Sequence, residues 1–164
     1  MASEGLGIER LRRGQREAAD AVVAGRDTLL VMPTGSGKSA VYQIAGALLP
    51  GWTLVVSPLI ALQQDQVASL DDADVGRAAA ANSALGAGRR HRLLDELAAG
   101  DIEFIFVAPE QLANDETRAE LAAHPPSLFV VDEAHCVSLW WPTSRATRRP
   151  ASSMWPPAGD RGPG

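Results

Sequence analysis

Lys38 and Ser39 close a glycine-rich run, PTGSGKS, that begins at Pro33. Residues of these types at this spacing suit the phosphates of a nucleotide. Gly35 and Gly37 let consecutive backbone N–H groups curl around an anion with no Cβ in the way. A helix opening near Lys38 adds the partial positive charge of its N-terminus. Lys38 is then placed to reach the β- and γ-phosphates as a point charge, and the Ser39 hydroxyl to ligate the magnesium that bridges them. The strict pattern has Gly where this chain has Met32, but the run GSGKS carries the cradle itself. Lys38 is also the single lysine among 15 basic residues. A compositional bias toward Arg explains the other basic positions, whereas a compact ammonium and a planar guanidinium are different phosphate ligands.

Asp132 and Glu133 form the second chemical cluster, directly after the apolar run Leu128 to Val131. In a phosphate-loop protein this place supplies an acid on the magnesium side, Asp132, and a neighbouring Glu that orients and deprotonates the attacking water. An Asp-Glu pair also suits a helix N-terminus through the helix dipole. Its pairing with a phosphate loop about a hundred residues earlier favours catalysis. His135, within Asp132-Glu133-Ala134-His135, is a candidate relay between the nucleotide and a nucleic-acid site.

These groups need a scaffold, and the hydrophobic periodicity supplies one. Helical spacing covers Leu11 to Val23, closed by Gly25, and an apolar β-rich run covers Asp27 to Met32. A helix from Lys38 to Leu49 is stopped by Pro50-Gly51, and Trp52 to Ser57 reads as a strand followed by a helix from Pro58 to Leu70. Asp71, Asp72 and Asp74 read as a solvated acidic turn. Then follow a short strand Val75 to Ala81, a helix Leu85 to Ala99, a strand Ile102 to Val107, a helix Glu116 to Ala123 and a strand Ser127 to Val131. Alternation of helices with unbroken apolar strands predicts an α/β fold, a parallel sheet with helices on both faces. Such sheets hold ligands at the carboxyl ends of their strands, where both PTGSGKS and the Asp132 cluster fall.

Composition sets the bounds. With 164 residues, 46% hydrophobic and 21% charged, the chain fits one soluble domain with a single core. No apolar run approaches membrane-spanning length, and the N-terminus has no apolar signal segment, so a cytoplasmic location and no membrane partner are expected. A single cysteine, Cys136, permits neither an internal disulfide nor a Cys-rich zinc site. The net charge of −5 does not advertise a nucleic-acid protein, although a local groove stays compatible with it.

The ordered set LRRGQ (Leu11 to Gln15), MPTGSGKS, VVSPLIALQQDQV (Val55 to Val67), ANS (Ala81 to Ser83), FVAPEQL (Phe106 to Leu112) and VVDEAHCVSLW (Val130 to Trp140) resembles the first motor domain of RecQ-type ATP-dependent DNA helicases. These belong to the DEAH-box branch of superfamily two. The resemblance implies a RecA-like P-loop fold that takes ATP and Mg2+ and couples hydrolysis to DNA unwinding. It implies that Gln15 recognises the adenine edge with help from Arg12, that Thr34 to Ser39 hold the phosphates, and that Ser39 and Asp132 hold the metal. Lys38 and Glu133 are the catalytic pair, and His135 couples the two sites. Ser57, Asn82 and Ser83, with Ala108-Pro109-Glu110, are similar to the motifs along the single-strand track. Those residues equally suit ordinary caps and turns, and Gln63, Gln64 and Gln66 equally suit a solvated helix face. Single-stranded or forked DNA is the implied partner, together with a second motor domain that supplies an Arg across the nucleotide, worth about 10³ to 10⁵ in rate.

The chain departs from the family pattern in two places. Relatives carry an adenine-stacking aromatic where this chain has Ile8, and Phe where it has Leu11, so either weaker adenine binding or a less well anchored helix is expected. After Trp140 the Gly-His-Asp-Phe-Arg-Pro loop of relatives is replaced by a segment with five prolines and a net charge of +3, against −8 for residues 1 to 140. The expected organisation is a helicase ATP-binding domain over 1–140 and a disordered or aberrant tail over 141–164, read either as an interaction segment whose Trp and Arg stack on nucleic acid or a partner or, in preference, as a loss of reading frame or truncation; unwinding by this chain alone is not expected. Two other classes fit less of the pattern: a non-catalytic ATP or nucleic-acid binding module, and a small-molecule kinase.

Overall fold

Four short strands, apolar throughout except for Thr53, form one parallel sheet in the computed structural model of the chain, which describes residues 11–33, 35–58, 60–72, 76–81 and 87–136. They are β1 (Thr53–Val56), β2 (Ala78–Ala81), β3 (Phe104–Val107) and β4 (Leu128–Val131), in the order β2-β3-β1-β4. Val56 stands opposite Val107 on one side and Val131 on the other, and Ala81 opposite Val107. All four carboxyl ends therefore finish at one level, which aligns the loops that leave them.

Parallel strands cannot be joined by tight turns, so each return crosses a face of the sheet. The helices are α1 (Arg13–Val23), α2 (Ser39–Leu48), α3 (Ile60–Asp72), α4 (Ala87–Ala98), α5 (Pro109–Leu112) and α6 (Asp115–Ala123), with a 3-10 turn at Ala134–Cys136. Strand alternation divides the core between two faces. Leu54, Val56, Ile105 and Val107 meet Leu97 of α4 and Leu121 of α6. Val55, Phe104 and Phe106 meet Tyr42 of α2 and Leu70 of α3. Ala18 and Ala19 of α1 pack on Val41 of α2. Gly46 lets α2 approach the sheet closely: a Cβ there would stand 2.6 Å from Thr53 Oγ1 and 2.7 Å from Phe104 Cε1. Asn114 begins α6 by accepting the Glu116 and Thr117 backbone N–H groups on Oδ1.

The parallel sheet with helices on both faces matches the expectation from periodicity, and most element ends shift by only a few residues. One expected strand is absent. Asp27 to Met32 pairs with no described strand, and its Leu29 and Val31 are 84% and 85% exposed. A strand exists only as half of a ladder, and apolar β-branched composition cannot supply the partner. The outer edge of β4, beside that segment, is likewise unpaired among the described residues, and Phe129 there is 50% exposed. Asp71 and Asp72 belong to the last turn of α3 and not to a turn, because the helix runs past Leu70; Asp74 lies outside the described residues. The short helix α5 was not visible in the periodicity. No described helix is long and apolar enough to cross a membrane. The segment 141–164 and Ile8 lie outside the described residues.

Candidate nucleotide site

The phosphate loop is held from behind by Gln15. Its Nε2 donates to the carbonyls of Ser36 at 3.0 Å and Gly37 at 2.8 Å, while its Oε1 accepts the Arg12 backbone N–H at 2.7 Å. Gln15 is buried, so these bonds carry the full weight of satisfying its amide. Both amide hydrogens are spent on the loop, and the side chain clasps the loop in place of presenting a free edge outward. Arg12, one turn earlier, is exposed. Gly37 explains why the loop needs glycine twice over. Its φ is +81°, in the region that disfavours side chains, and a Cβ would stand 2.8 Å from Gln15 Nε2. Gly35 also has positive φ, and Ser36 Oγ donates to the Pro33 carbonyl at 2.5 Å. Thr34 lies outside the described residues.

Ser39 occupies the first position of α2 and Lys38 the position before it, so the helix dipole points into the loop they close. Lys38 lines a cleft of about 1130 Å³ together with Tyr42, Asp132, Glu133 and His135. The unpaired segment 27–32 and β4 both line this cleft, which is larger than a typical ligand pocket.

Asp132 is fixed by the sheet. Its backbone N–H donates to the Val56 carbonyl at 2.9 Å, one step beyond the β1–β4 ladder. Its Oδ1 accepts the Glu133 N–H at 2.9 Å. Glu133 is the one described non-glycine residue with positive φ, +50°. A left-handed Glu costs on the order of 1–3 kcal/mol. That conformation turns the chain sharply off β4 and keeps the Glu133 side chain half-buried on the cleft wall, where His135 Nδ1 lies 3.2 Å from its Oε2. The His135 side chain is mostly exposed. Ser39 and Asp132 are hard oxygen donors of the kind magnesium takes alongside nucleotide phosphates, and the donor set fits that ion. Among the described residues there is no group of three or more His, Cys, Asp or Glu placed to hold a metal ion.

Of the residues expected along a single-strand track, Ser57 is fully buried, and Asn82 and Ser83 lie outside the described residues. Gln63 and Gln66 are buried and only Gln64 is exposed, so this is not a solvated helix face. Gln63 Nε2 donates to the Ser57 carbonyl at 2.7 Å, and Gln66 Oε1 accepts the Tyr42 hydroxyl at 2.7 Å. Tyr42 escaped the sequence reading, although it is the chain's sole tyrosine and sits three residues after Ser39 on one helix face. Burial raises its hydroxyl pKa well above the ordinary value, and the nearby Asp132 carboxylate pushes it the same way; the Gln66 bond opposes them. Tyr42 therefore stays a protonated donor.

The DEAD/DEAH box helicase family matches residues 12–152 of the chain. The probable ATP-dependent DNA helicase RecS of Bacillus subtilis is 40% identical over 135 residues, covering 82% of this chain and 27% of that protein. The ATP-dependent DNA helicase RecQ of the same organism is 39% identical over 136 residues, covering 82% of this chain and 23% of that protein. The chain thus spans about a quarter of the length of these relatives. A solved structure of the helicase MrfA bound to DNA and AMPPNP superposes with a TM-score of 0.65 at 21% identity, covering 82% of this chain and 20% of that one.

Proposed function

Because the chain belongs to the DEAD/DEAH box helicase family, we propose that it is the ATP-binding motor domain of a RecQ-like DNA helicase, acting on single-stranded or forked DNA. The observation that carries this reading is the convergence of Lys38, Asp132 and Glu133 on one cleft at the carboxyl ends of the sheet. Lys38 holds the β- and γ-phosphates, and Ser39 and Asp132 hold Mg2+, which neutralises charge on the transferred phosphoryl group when bound. Glu133 takes a proton from the water that attacks the γ-phosphorus, and the bond to the β-phosphate oxygen breaks to leave ADP. His135 steadies the Glu133 carboxylate from the exposed side. Gln15 secures the loop and reaches adenine only by exchanging one of its loop bonds. Residues 1–140 form the motor domain, with 141–164 as a tail outside it.

The chain spans a small share of its relatives, and the family's transition-state Arg comes from a second motor domain. On this reading the 164-residue polypeptide alone turns ATP over slowly and does not separate strands. In a gel assay of the isolated chain, a forked duplex stays annealed with ATP and Mg2+ present; ATP-driven separation would overturn that part of the reading. The ATP site is tested by titrating a fluorescent ATP analogue into the wild type and Lys38→Ala. Charge-assisted contacts worth about 1.5–3 kcal/mol predict roughly 10- to 100-fold weaker binding in the variant. Equal affinity in the two proteins would remove Lys38 from the site and the reading with it. Nucleotide binding with no turnover at all would favour a non-catalytic binding module instead.

A further inference from the structure

We propose that the buried hydrogen bond between Tyr42 and Gln66 is a positioning link through which the phosphate end of the site and helix α3 sense each other. The inference rests on the ATP-site reading above and adds a role for two residues outside the phosphate and acid motifs. Tyr42 stands three residues after Ser39 on α2, so any shift of the helix that carries the phosphate ligands moves its hydroxyl. That hydroxyl donates to Gln66 Oε1 of α3 at 2.7 Å, and both side chains are more than nine-tenths buried. The Tyr42 ring also lines the cleft with Lys38 and Asp132, near enough for the Asp132 charge to act on it.

Helix α3 is attached at its other end to the strand that neighbours Asp132. It follows Ser57 and Pro58 at the end of β1, and Gln63 Nε2 holds the Ser57 carbonyl. Val56, the residue before Ser57, accepts the Asp132 N–H. One circuit, open between Asp132 and Ser39, thus runs from Ser39 through Tyr42, Gln66, Gln63, Ser57 and Val56 to Asp132. A buried polar bond in such a circuit discriminates between two arrangements more sharply than an apolar contact does, since a displacement leaves both partners unsatisfied. The start of α3 also has unused capacity. Ser57 Oγ and Gln63 Oε1 are buried with no hydrogen-bond partner among the described residues, and a shifted α3 can engage them. Two arrangements of α3, one favoured by nucleotide at α2 and one by single-stranded DNA beside β1, give the link its function.

The experiment measures the affinity of a fluorescent ATP analogue with Mg2+, without and with a short single-stranded oligothymidylate. It uses the wild type, Tyr42→Phe, Gln66→Met and the double variant. In the wild type the oligonucleotide changes the nucleotide Kd at least about fivefold, and in all three variants the ratio falls close to one. The double variant replaces the buried pair by apolar contact, so its thermal midpoint returns toward wild type while the ratio stays near one. A double variant with the wild-type ratio would make the bond structural and overturn the inference, as would a wild type whose nucleotide affinity ignores the oligonucleotide. Tyr42→Phe, which removes one atom, decides the matter if the double variant does not fold. Should nucleotide binding prove independent of Lys38, the ATP-site reading itself fails; retained Lys38 dependence with ratios unaltered in the variants removes only the link.

Discussion

Glu133→Gln lowers the rate of ATP hydrolysis about 10²- to 10⁴-fold, the usual contribution of a positioned general base, and leaves ATP affinity near the wild-type value. The amide keeps the size and the hydrogen-bonding oxygen of the carboxylate but cannot accept the proton of the attacking water. The Asp132 and Lys38 contacts do not pass through the Glu133 side chain; its backbone N–H, not its carboxylate, bonds Asp132. Phosphate release measured across an ATP titration separates the two quantities. A variant with unchanged turnover, or one whose loss lies entirely in affinity, would show that Glu133 is not the base. The basal rate of the isolated chain is expected to be low, so the measurement needs single-turnover sensitivity.

Phe104→Ala destabilises the fold by about 3–5 kcal/mol, the range for deleting a large buried aromatic. Phe104 is fully buried at the centre of the sheet, paired with both Thr53 and Ala78, and its ring fills the space that Gly46 leaves open on α2. Against a typical total stability of about 5–15 kcal/mol, that loss removes a large fraction of the folded margin. The effect reaches the site because α2 carries Lys38 and Ser39 at its N-terminus. Urea unfolding gives the stability change. A loss below about 1 kcal/mol would mean that the cavity collapses at no cost and that α2 is not seated on this ring.

Local features were legible in the sequence and distant partnerships were not. The turn into a helix at PTGSGKS was legible because it is local: a glycine with positive φ and a lysine at a helix start declare themselves within a few residues. The parallel sheet was legible because strands covered on both faces are written as unbroken apolar runs. What failed depends on partners distant in sequence. Asp27 to Met32 has a strand's composition without a strand's ladder. Gln63 and Gln66 look like a solvated face until the Ser57 carbonyl and the Tyr42 hydroxyl are seen to satisfy them inside the core. The resemblance assigned Gln15 to the adenine edge, whereas its two bonds into the phosphate loop join positions more than twenty apart and leave no local signature.

The left-handed backbone at Glu133 sets fold and chemistry against each other at one position. Gly or Asn would occupy that conformation more comfortably and so add to stability, yet neither offers a carboxylate of the required reach. Selection for thermal robustness alone would drift away from Glu here, and sequence changes chosen to harden the fold would silence it first at this residue. On the role proposed above, Glu at this position serves its carboxylate and not the fold.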